Sequence, residues 1–140
     1  MNEIYMKEAI KEAKKAYKID DVPVGCVIVK NNKIIARGHN QKEKKNNAIM
    51  HAEIIAISKA CKKLKTWHLE ECVMYVTMEP CIMCTGAIIQ SRINTIYYSI
   101  SNTSFGGLEK NKLNNVVINK GILKEQSEKL LKNFFREKRK

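Results

Sequence analysis

The chain has 140 residues, 44% of them hydrophobic, and its 26 Lys and Arg against 14 Asp and Glu give a net charge of +12. This length suits a single domain over residues 1–140 that needs no disulfide support. No apolar run approaches the roughly 20 residues of a membrane span, the first residues lack a signal-peptide pattern, and the five cysteines are an odd number, so we expect a soluble protein of the cytosol.

Helical and strand patterns alternate from the start of the chain. Apolar residues at helical spacing predict an amphipathic helix over residues 6–17, with lysines on its other face. Residues 22–29 and 34–39 have the composition of two strands joined by a polar turn, which predicts a β-hairpin. Gly25 inside the first strand indicates that another backbone or a ligand comes close to it.

The rest of the chain continues this alternation. A polar stretch, residues 40–47, leads to a helix predicted to begin near Ala48. Further short strands are predicted at residues 74–77, 95–98 and 115–118, with a helix after the first of them and a last amphipathic helix near the end. The pattern predicts a three-layer α/β/α domain, with a mixed sheet of about five strands that begins with an antiparallel hairpin and carries helices on both faces.

Two short motifs contain the residue types that bind metals and move protons. Cys81 and Cys84 follow Pro80 at the point where a strand should give way to a helix, and His51 stands two residues before Glu53. A helix N-terminus favours thiolates, and paired thiolates suit a borderline-soft divalent metal. With His51 as the third ligand, one position of a tetrahedral metal stays open, which is typical of catalytic zinc.

Simpler interpretations of the cysteine pair remain open. Cys-x-x-Cys by itself also fits half of a structural zinc site or a redox pair. A structural site needs a fourth protein ligand, and a redox pair has no use for a distant His-x-Glu. The remaining candidates are scattered singly through predicted strands and helices, and we expect them to be core or surface residues: Cys26, Cys61, Cys72, His39 and His68.

His-x-Glu followed by Pro-Cys-x-x-Cys resembles the signature of the zinc-dependent, cytidine deaminase-like superfamily. The surrounding chain, from about residue 4 to residue 136, resembles the bacterial tRNA-specific adenosine deaminases within it. The segments that match are Asp21-Val22-Pro23-Val24-Gly25, Gly38-His39-Asn40, His51-Ala52-Glu53-Ile54, Leu69-Glu70-x-Cys72, Tyr75 to Cys84, Gly86-Ala87-Ile88, Ser91-Arg92-Ile93 and Phe134-Phe135-Arg136.

This resemblance implies an activity and a role for each site residue. It implies one Zn²⁺ per chain, held by His51, Cys81 and Cys84, and Glu53 as the catalytic group that moves protons. The implied reaction is hydrolytic deamination of adenosine to inosine at the wobble position of a tRNA anticodon loop, carried out by a cytoplasmic homodimer. Asn40 resembles the family's base- or ribose-contacting asparagine, with a turn residue as the alternative.

Two segments depart from the family pattern. Ala48-Ile49-Met50 replaces the usual Pro-Thr-Ala before the metal histidine, and the segment from Ser99 to Asn115 is atypical and short. The rival interpretation is a deaminase of a free nucleobase or nucleoside, such as guanine or cytosine, on the same fold. A catalytically silent RNA-binding relative is a third alternative, which the intact Glu53 disfavours. For Glu79 we expect the backbone carbonyl to lie near the leaving amine and the carboxylate to have no role.

The positive charge suggests a polyanionic partner, although a lysine-rich genome composition would also produce it. Basic residues cluster at residues 42–45 and in the tail from Arg136 to Lys140. Phe134 and Phe135 are expected to divide their roles, one packing the last helix onto the core and the other lying near the substrate.

Overall fold

The structure, a computed structural model, describes residues 2–109 and 115–138, with only the backbone of residue 2. In chain order its elements are α1 (Asn2–Lys18), β1 (Gly25–Lys30), β2 (Lys33–His39), α2 (Lys42–Lys45), α3 (Ala52–Leu64), β3 (Val73–Met78), α4 (Ile82–Ser91), β4 (Thr95–Ile100), β5 (Val117–Lys120) and α5 (Lys124–Lys138). None of these helices is both long and apolar enough to cross a membrane.

The five strands form one mixed sheet in the order β2-β1-β3-β4-β5. β1 pairs antiparallel with β2 and β3, while β3, β4 and β5 run parallel. The β1–β2 hairpin turns at Asn31 and Asn32, whose φ angles are 51° and 60°. Asparagine tolerates this left-handed conformation, and two such residues in succession match the twist of the flanking strands. The predicted mixed sheet, beginning with an antiparallel hairpin, is confirmed.

Helices cover both faces of the sheet. Successive strand residues point to opposite faces, so Val27 and Val29 join a core with α1, while Cys26 and Ile28 join a second core with α3 and α4. On the first face α5 packs beside α1 and against β4. The predicted three-layer α/β/α architecture is therefore confirmed.

Gly25 is the point where α1 lies directly on the sheet. A Cβ atom at this position would lie 2.0 Å from the carbonyl oxygen of Ala9 and 2.4 Å from the amide nitrogen of Ala13. The predicted close approach at Gly25 is confirmed, and the approaching group is the backbone of α1. Only glycine allows this contact, because any side chain would push the helix off the strand.

The helix that carries His51 begins later than predicted. It starts at Ala52 instead of near Ala48. Asn47 forms a turn in which its carbonyl oxygen accepts a hydrogen bond from the amide of Met50 at 3.1 Å. His51 then has an extended backbone, with φ −81° and ψ 153°, and is the last residue before the helix instead of a member of its first turn.

The polar stretch after β2 contains a short helix, α2, that the sequence pattern does not indicate. Its position depends on Asp21, which is only 2% exposed. The two carboxylate oxygens of Asp21 accept hydrogen bonds from the amides of Glu43 and Lys44, at 3.0 and 3.2 Å. Asp21 thereby satisfies the free N–H groups at the start of α2.

One edge of the sheet collects the predicted site residues. β2, β3 and β4 point the same way and β1 points the opposite way, so the ends of the first three meet the start of β1 at this edge. α3 and α4 both begin there. In open α/β sheets ligands generally bind outside the carboxyl ends of the strands.

Candidate active site

His51, Cys81 and Cys84 form a compact group with the geometry of a metal site. The Nδ1 atom of His51 lies 3.6 Å from the Sγ atoms of both cysteines, and the three atoms all lie within 4.8 Å of one another. Tetrahedral zinc, with sulfur at about 2.3 Å and nitrogen at about 2.0–2.1 Å, requires a nitrogen–sulfur distance of about 3.6 Å. The group fits zinc, and it is the only such group of three among residues 2–109 and 115–138.

The starts of two helices hold these three side chains. His51 immediately precedes α3, and Cys81 immediately precedes α4 with an extended backbone of φ −69° and ψ 175°. Cys84 follows in the first turn of α4 and is fully buried. The positive ends of both helix dipoles therefore lie at the group, where they favour thiolates.

The two cysteines have opposite acidities because they share a hydrogen bond. The Cys84 thiol lowers the pKa of Cys81 to about 4, and His51 adds to this effect. The same bond, together with burial, raises the pKa of Cys84 well above its ordinary value. The contact with Cys81 in turn raises the pKa of His51. Binding of a metal by both sulfurs must therefore release the Cys84 proton.

Glu53 lies beside the group without belonging to it. It is the second residue of α3, is only 4% exposed and lines the same cavity as His51. Burial raises the pKa of Glu53 to about 7, although a hydrogen bond to its own backbone amide and another to Cys84 partly oppose this rise. A carboxyl group with such a pKa can both accept and donate a proton near neutral pH.

The group opens into a cavity of about 570 Å³. Its volume lies in the range of small-molecule and cofactor pockets in proteins. The walls combine apolar residues with a few polar ones, and the wall residues that matter below are Asn40, Lys42, Asn102, Ser104, Phe105 and Phe135. Lys42 belongs to one of the two predicted basic clusters, and α2 places it in the wall.

Asn40 lines this cavity and also supports the candidate metal-binding group. Its Oδ1 atom accepts a hydrogen bond from the backbone amide of Ala52 at 2.9 Å. Ala52 is the first residue of α3, so Asn40 satisfies one N–H group at the helix start next to His51. The side-chain NH₂ group of Asn40 is then the group that can donate a hydrogen bond to a ligand in the cavity.

Glu79 has a structural role that the sequence did not indicate. We expected no role for its carboxylate, and this is wrong. The side chain is 3% exposed, and its two oxygens accept hydrogen bonds from the amides of Asn102 and Glu109 at 3.1 and 3.0 Å. Glu79 thus holds the loop that follows β4. Phe105 on this loop is also a wall residue that the motifs did not indicate.

The two adjacent phenylalanines near the C-terminus occupy different environments. Phe134 is 5% exposed and makes an edge contact with Tyr17 of α1, with ring centroids 5.8 Å apart. Phe135 is 44% exposed and lines the cavity. These are the two positions expected for them. In the basic tail, Lys138 forms an ion pair with Asp20, while Arg139 and Lys140 lie outside the described residues.

The other cysteines and histidines do not join the candidate metal-binding group. Cys26 and Cys72 are buried in the core, and Cys61 is partly buried on α3. His39 contacts Glu12 at 3.3 Å, and His68 contacts Glu70 at 3.2 Å. Within the described part of the chain the group offers three candidate ligands and no fourth, which disfavours a structural zinc site.

Comparisons with known proteins agree with this geometry. A family model described as MafB19-like deaminase matches residues 1–139. The chain is 44% identical to the tRNA-specific adenosine deaminase of Bacillus subtilis (strain 168), over 99% of this chain and 91% of the relative. These matches confirm the family resemblance inferred from the motifs.

Two solved structures resemble the fold closely. One comes from a study of A-to-I editing by tRNA:A34 deaminases at the wobble position of transfer RNA; it is 32% identical, with a TM-score of 0.85, over 91% of this chain and 98% of that one. A guanine deaminase from Bacillus subtilis is 37% identical, with a TM-score of 0.69, over 75% of this chain and 71% of that one. The first covers more of this chain than the second does.

Proposed function

The chain belongs to the MafB19-like deaminase family, and we propose that it hydrolyses adenosine to inosine at the wobble position of a tRNA anticodon. One observation carries the chemistry: a buried carboxyl group, Glu53, lies beside the group formed by His51, Cys81 and Cys84 at the base of a cavity. The substrate rests on the 44% identity to a tRNA-specific adenosine deaminase over nearly the whole chain.

In this proposal each site residue has a separate task. His51, Cys81 and Cys84 hold one Zn²⁺ per chain. When bound, zinc supplies a water molecule whose pKa falls from about 15.7 toward about 7. Glu53 accepts a proton from the attacking water and delivers it to the purine ring nitrogen beside C6. It then takes the remaining proton from the hydroxyl group now bound to C6 and passes it to the amine, so that the C6–N bond breaks as the C6 carbonyl forms. Adenosine and water thereby become inosine and ammonia.

Asn40 and the cavity walls orient the target nucleotide. The Oδ1 atom of Asn40 is occupied by the amide of Ala52, so its NH₂ group is the donor that we assign to the base or ribose. A base inside a stem cannot enter a cavity of this kind, so the target must be unstacked in a loop, as an anticodon is. Lys42 in the wall adds positive charge where the RNA backbone would approach.

A free-base deaminase is the second candidate, and one observation favours it. The guanine deaminase of Bacillus subtilis is 37% identical over three quarters of this chain. The two candidates separate when the protein is incubated with an anticodon stem-loop, adenosine, guanine and cytosine in separate reactions. Ammonia release, with inosine detected by mass spectrometry of the digested RNA, supports the tRNA reaction. Ammonia release from guanine or cytosine alone would show that the protein is a free-base deaminase and would refute the tRNA reaction.

We also propose that residues 1–140 form one domain and that two chains form a homodimer. The dimer rests on the family resemblance, and exposed apolar residues of α4 offer a surface for it: Ile82 is 70% exposed and Ile89 is 44% exposed. Light scattering on the purified protein should give twice the chain mass of 16.1 kDa. Substituting Ile89 by Glu should shift the population toward monomers, whereas a monomeric wild type would refute the dimer.

A further inference from the structure

We propose that Glu79 is a positioning residue: its buried carboxylate fixes the loop formed by residues 101–109, here the rim loop, as one wall of the cavity for RNA. The inference rests on the proposed function for the identity of its substrate. It adds a residue that neither binds the metal nor moves a proton but determines how well the RNA is held.

The carboxylate of Glu79 is bound at both ends of the rim loop. Oε1 accepts the amide of Asn102 and Oε2 accepts the amide of Glu109, at 3.1 and 3.0 Å. The side chain is only 3% exposed, and a buried carboxylate is costly unless it is hydrogen-bonded. Glutamine offers one acceptor oxygen and a donor NH₂, so it can replace only one of these bonds.

Further hydrogen bonds join the rim loop to the segment that carries the metal ligands. The amide of Gly107 donates to the carbonyl of Pro80 at 2.9 Å, and the amide of Ile82 donates to the carbonyl of Phe105 at 3.1 Å. Ile82 is the first residue of α4, so the loop also satisfies an N–H group at the start of that helix. Loop position and the metal-binding segment are therefore connected through backbone contacts.

Gly106 shows how closely the loop is seated on the carboxylate. A Cβ atom at this residue would lie 2.4 Å from the carbonyl oxygen of Asn102 and 2.6 Å from Oε2 of Glu79. Real Cβ atoms do not approach other atoms so closely. An alanine at position 106 must therefore displace either the turn or the Glu79 side chain.

The loop held in this way presents three residues to the cavity: Asn102, Ser104 and Phe105. Phe105 is 74% exposed, although its amide is bound to the side chain of Asn102 at 3.0 Å and its carbonyl to Ile82. An exposed ring on a fixed backbone suits stacking against a nucleobase, which contributes about 1–3 kcal/mol per base. Glu79 thus determines where this ring lies.

These contacts predict an effect on RNA binding and not on the chemical step. Both carboxylate oxygens of Glu79 are engaged with backbone amides, whereas Glu53 lies next to the metal-binding group. Loss of one charge-assisted hydrogen bond should loosen the loop and weaken contacts that it makes with RNA in the ground state and the transition state alike. Such a loss raises KM and leaves kcat nearly unchanged.

The experiment compares wild type, Glu79→Gln, Gly106→Ala, Phe105→Ala and the double variant Glu79→Gln/Phe105→Ala on an anticodon stem-loop. Glu70→Gln is the matched control, because Glu70 is an exposed carboxylate that contacts His68. We expect Glu79→Gln to raise KM about tenfold or more, with kcat within about threefold and the zinc content unchanged. Phe105→Ala should add little to Glu79→Gln, because Glu79 acts through the same loop.

Hydrogen–deuterium exchange of the amides in residues 101–109 provides a readout that does not depend on any substrate. Glu79→Gln and Gly106→Ala should both accelerate this exchange, and Glu70→Gln should not. If wild type does not deaminate the stem-loop, the proposed function fails while the exchange result still tests the loop. Unchanged exchange and KM in both loop variants, or a fall in kcat at constant KM, would overturn the assignment of Glu79. If Glu79→Gln does not fold, Gly106→Ala tests the loop in its place.

Discussion

His51 and Cys81 occupy equivalent positions in two different helices: each is the last extended residue before its helix begins, and His51 Nδ1 lies 3.6 Å from Cys81 Sγ. The candidate metal-binding group is therefore built from helix starts. Its geometry depends on where α3 and α4 begin, and residues that hold those starts, such as Asn40, influence the site without being metal ligands.

Replacement of Cys84 by Ser should remove metal and activity together. Serine is a weak ligand for zinc, and one of three protein ligands is then lost. Elemental analysis of the purified proteins should show one zinc per chain in wild type and little in the variant. Cys61→Ser is the control. Because Cys61 lies outside the group, this variant should keep its zinc. A zinc-free Cys84→Ser protein that still turns over substrate would exclude the proposed metal site.

Replacement of Glu53 by Gln should separate chemistry from binding. Glutamine keeps the size of the side chain but cannot carry a proton, so turnover should fall by about 100-fold or more. Zinc content and stem-loop affinity should stay close to those of wild type, because Glu53 lies outside the three-residue group. Single-turnover kinetics and elemental analysis measure the two effects. Turnover near that of wild type would assign Glu53 a structural role instead.

The salt dependence of RNA binding should identify the lysines that contact phosphates. Lys42 lines the cavity, so Lys42→Ala should weaken stem-loop binding and reduce the log-log salt slope by about 0.7 if it neutralises one phosphate. Lys62→Ala, an exposed lysine in the last turn of α3, is the matched control and should leave the slope unchanged. Binding is measured by fluorescence anisotropy at several salt concentrations.

Removal of residues 137–140 tests the basic tail in the same assay. The truncation should flatten the salt slope and weaken RNA binding while the zinc content stays unchanged. Lys138 forms an ion pair with Asp20, so its contribution to RNA affinity and to the salt slope should be smaller than that of a lysine without such a partner. If RNA binding by wild type, the lysine variants and the truncated chain does not depend on salt, and guanine or cytosine is turned over, the free-base reaction is the correct one.

Glu12 should make folding stability depend on pH. It is 3% exposed and contacts Lys15 at 2.8 Å and His39 at 3.3 Å. Burial alone would raise the pKa of Glu12, but the hydrogen bonds with Lys15 and His39 outweigh it and lower the pKa below 4.5. Because the folded-state pKa is lowered, the stabilisation is present above the unfolded-state pKa and is lost as pH falls through the folded-state value.

Glu12→Gln should therefore lower the free energy of unfolding by about 1–3 kcal/mol at neutral pH. The difference from wild type should shrink as pH falls below the unfolded-state pKa and through the lowered folded-state pKa of Glu12, because wild type then also carries a neutral side chain. Urea unfolding at a series of pH values measures it. Glu71→Gln, at an exposed carboxylate paired with Lys30, should show almost no difference at any pH. A constant difference from neutral to acid pH would contradict this account of Glu12.

Two glycine-to-alanine substitutions should have opposite effects on stability. Gly25→Ala places a methyl group 2.0 Å from the carbonyl oxygen of Ala9, so α1 must move and stability should fall by about 1–3 kcal/mol. Gly86 lies in α4, and among the described residues no atom outside its own helical turn lies within 4 Å of the place that a methyl group would take. Gly86→Ala should therefore raise stability by about 0.5–1 kcal/mol. Thermal unfolding of both variants measures whether stability falls or rises. A Gly25→Ala protein as stable as wild type would contradict the close packing of α1.

Local patterns in the sequence predicted the architecture, and a metal-ligand motif together with the family resemblance predicted the candidate site residues. Short runs of apolar and β-branched residues predict strands of a covered sheet, because successive side chains point to opposite faces, and Val27 and Ile28 do point to opposite cores. Cys-x-x-Cys after a proline indicates two thiols at a helix start, because proline is common where helices begin. The two thiols must then lie close together, because residues three apart share one face of a helix. The structure brings His51 to within 3.6 Å of both thiols.

Other features depend on contacts between distant parts of the chain, and sequence patterns do not reveal them. The amides bound by Asp21 and Glu79 belong to residues 22 to 30 positions away along the chain. Every residue except proline carries the same backbone N–H group, so no residue type marks the amides that a buried carboxylate will bind. Such bonds hold the helix α2 and the rim loop around Phe105, and a similar bond from the Ala52 amide to the side chain of Asn40 holds the start of α3. They form only once the sheet has brought these segments together.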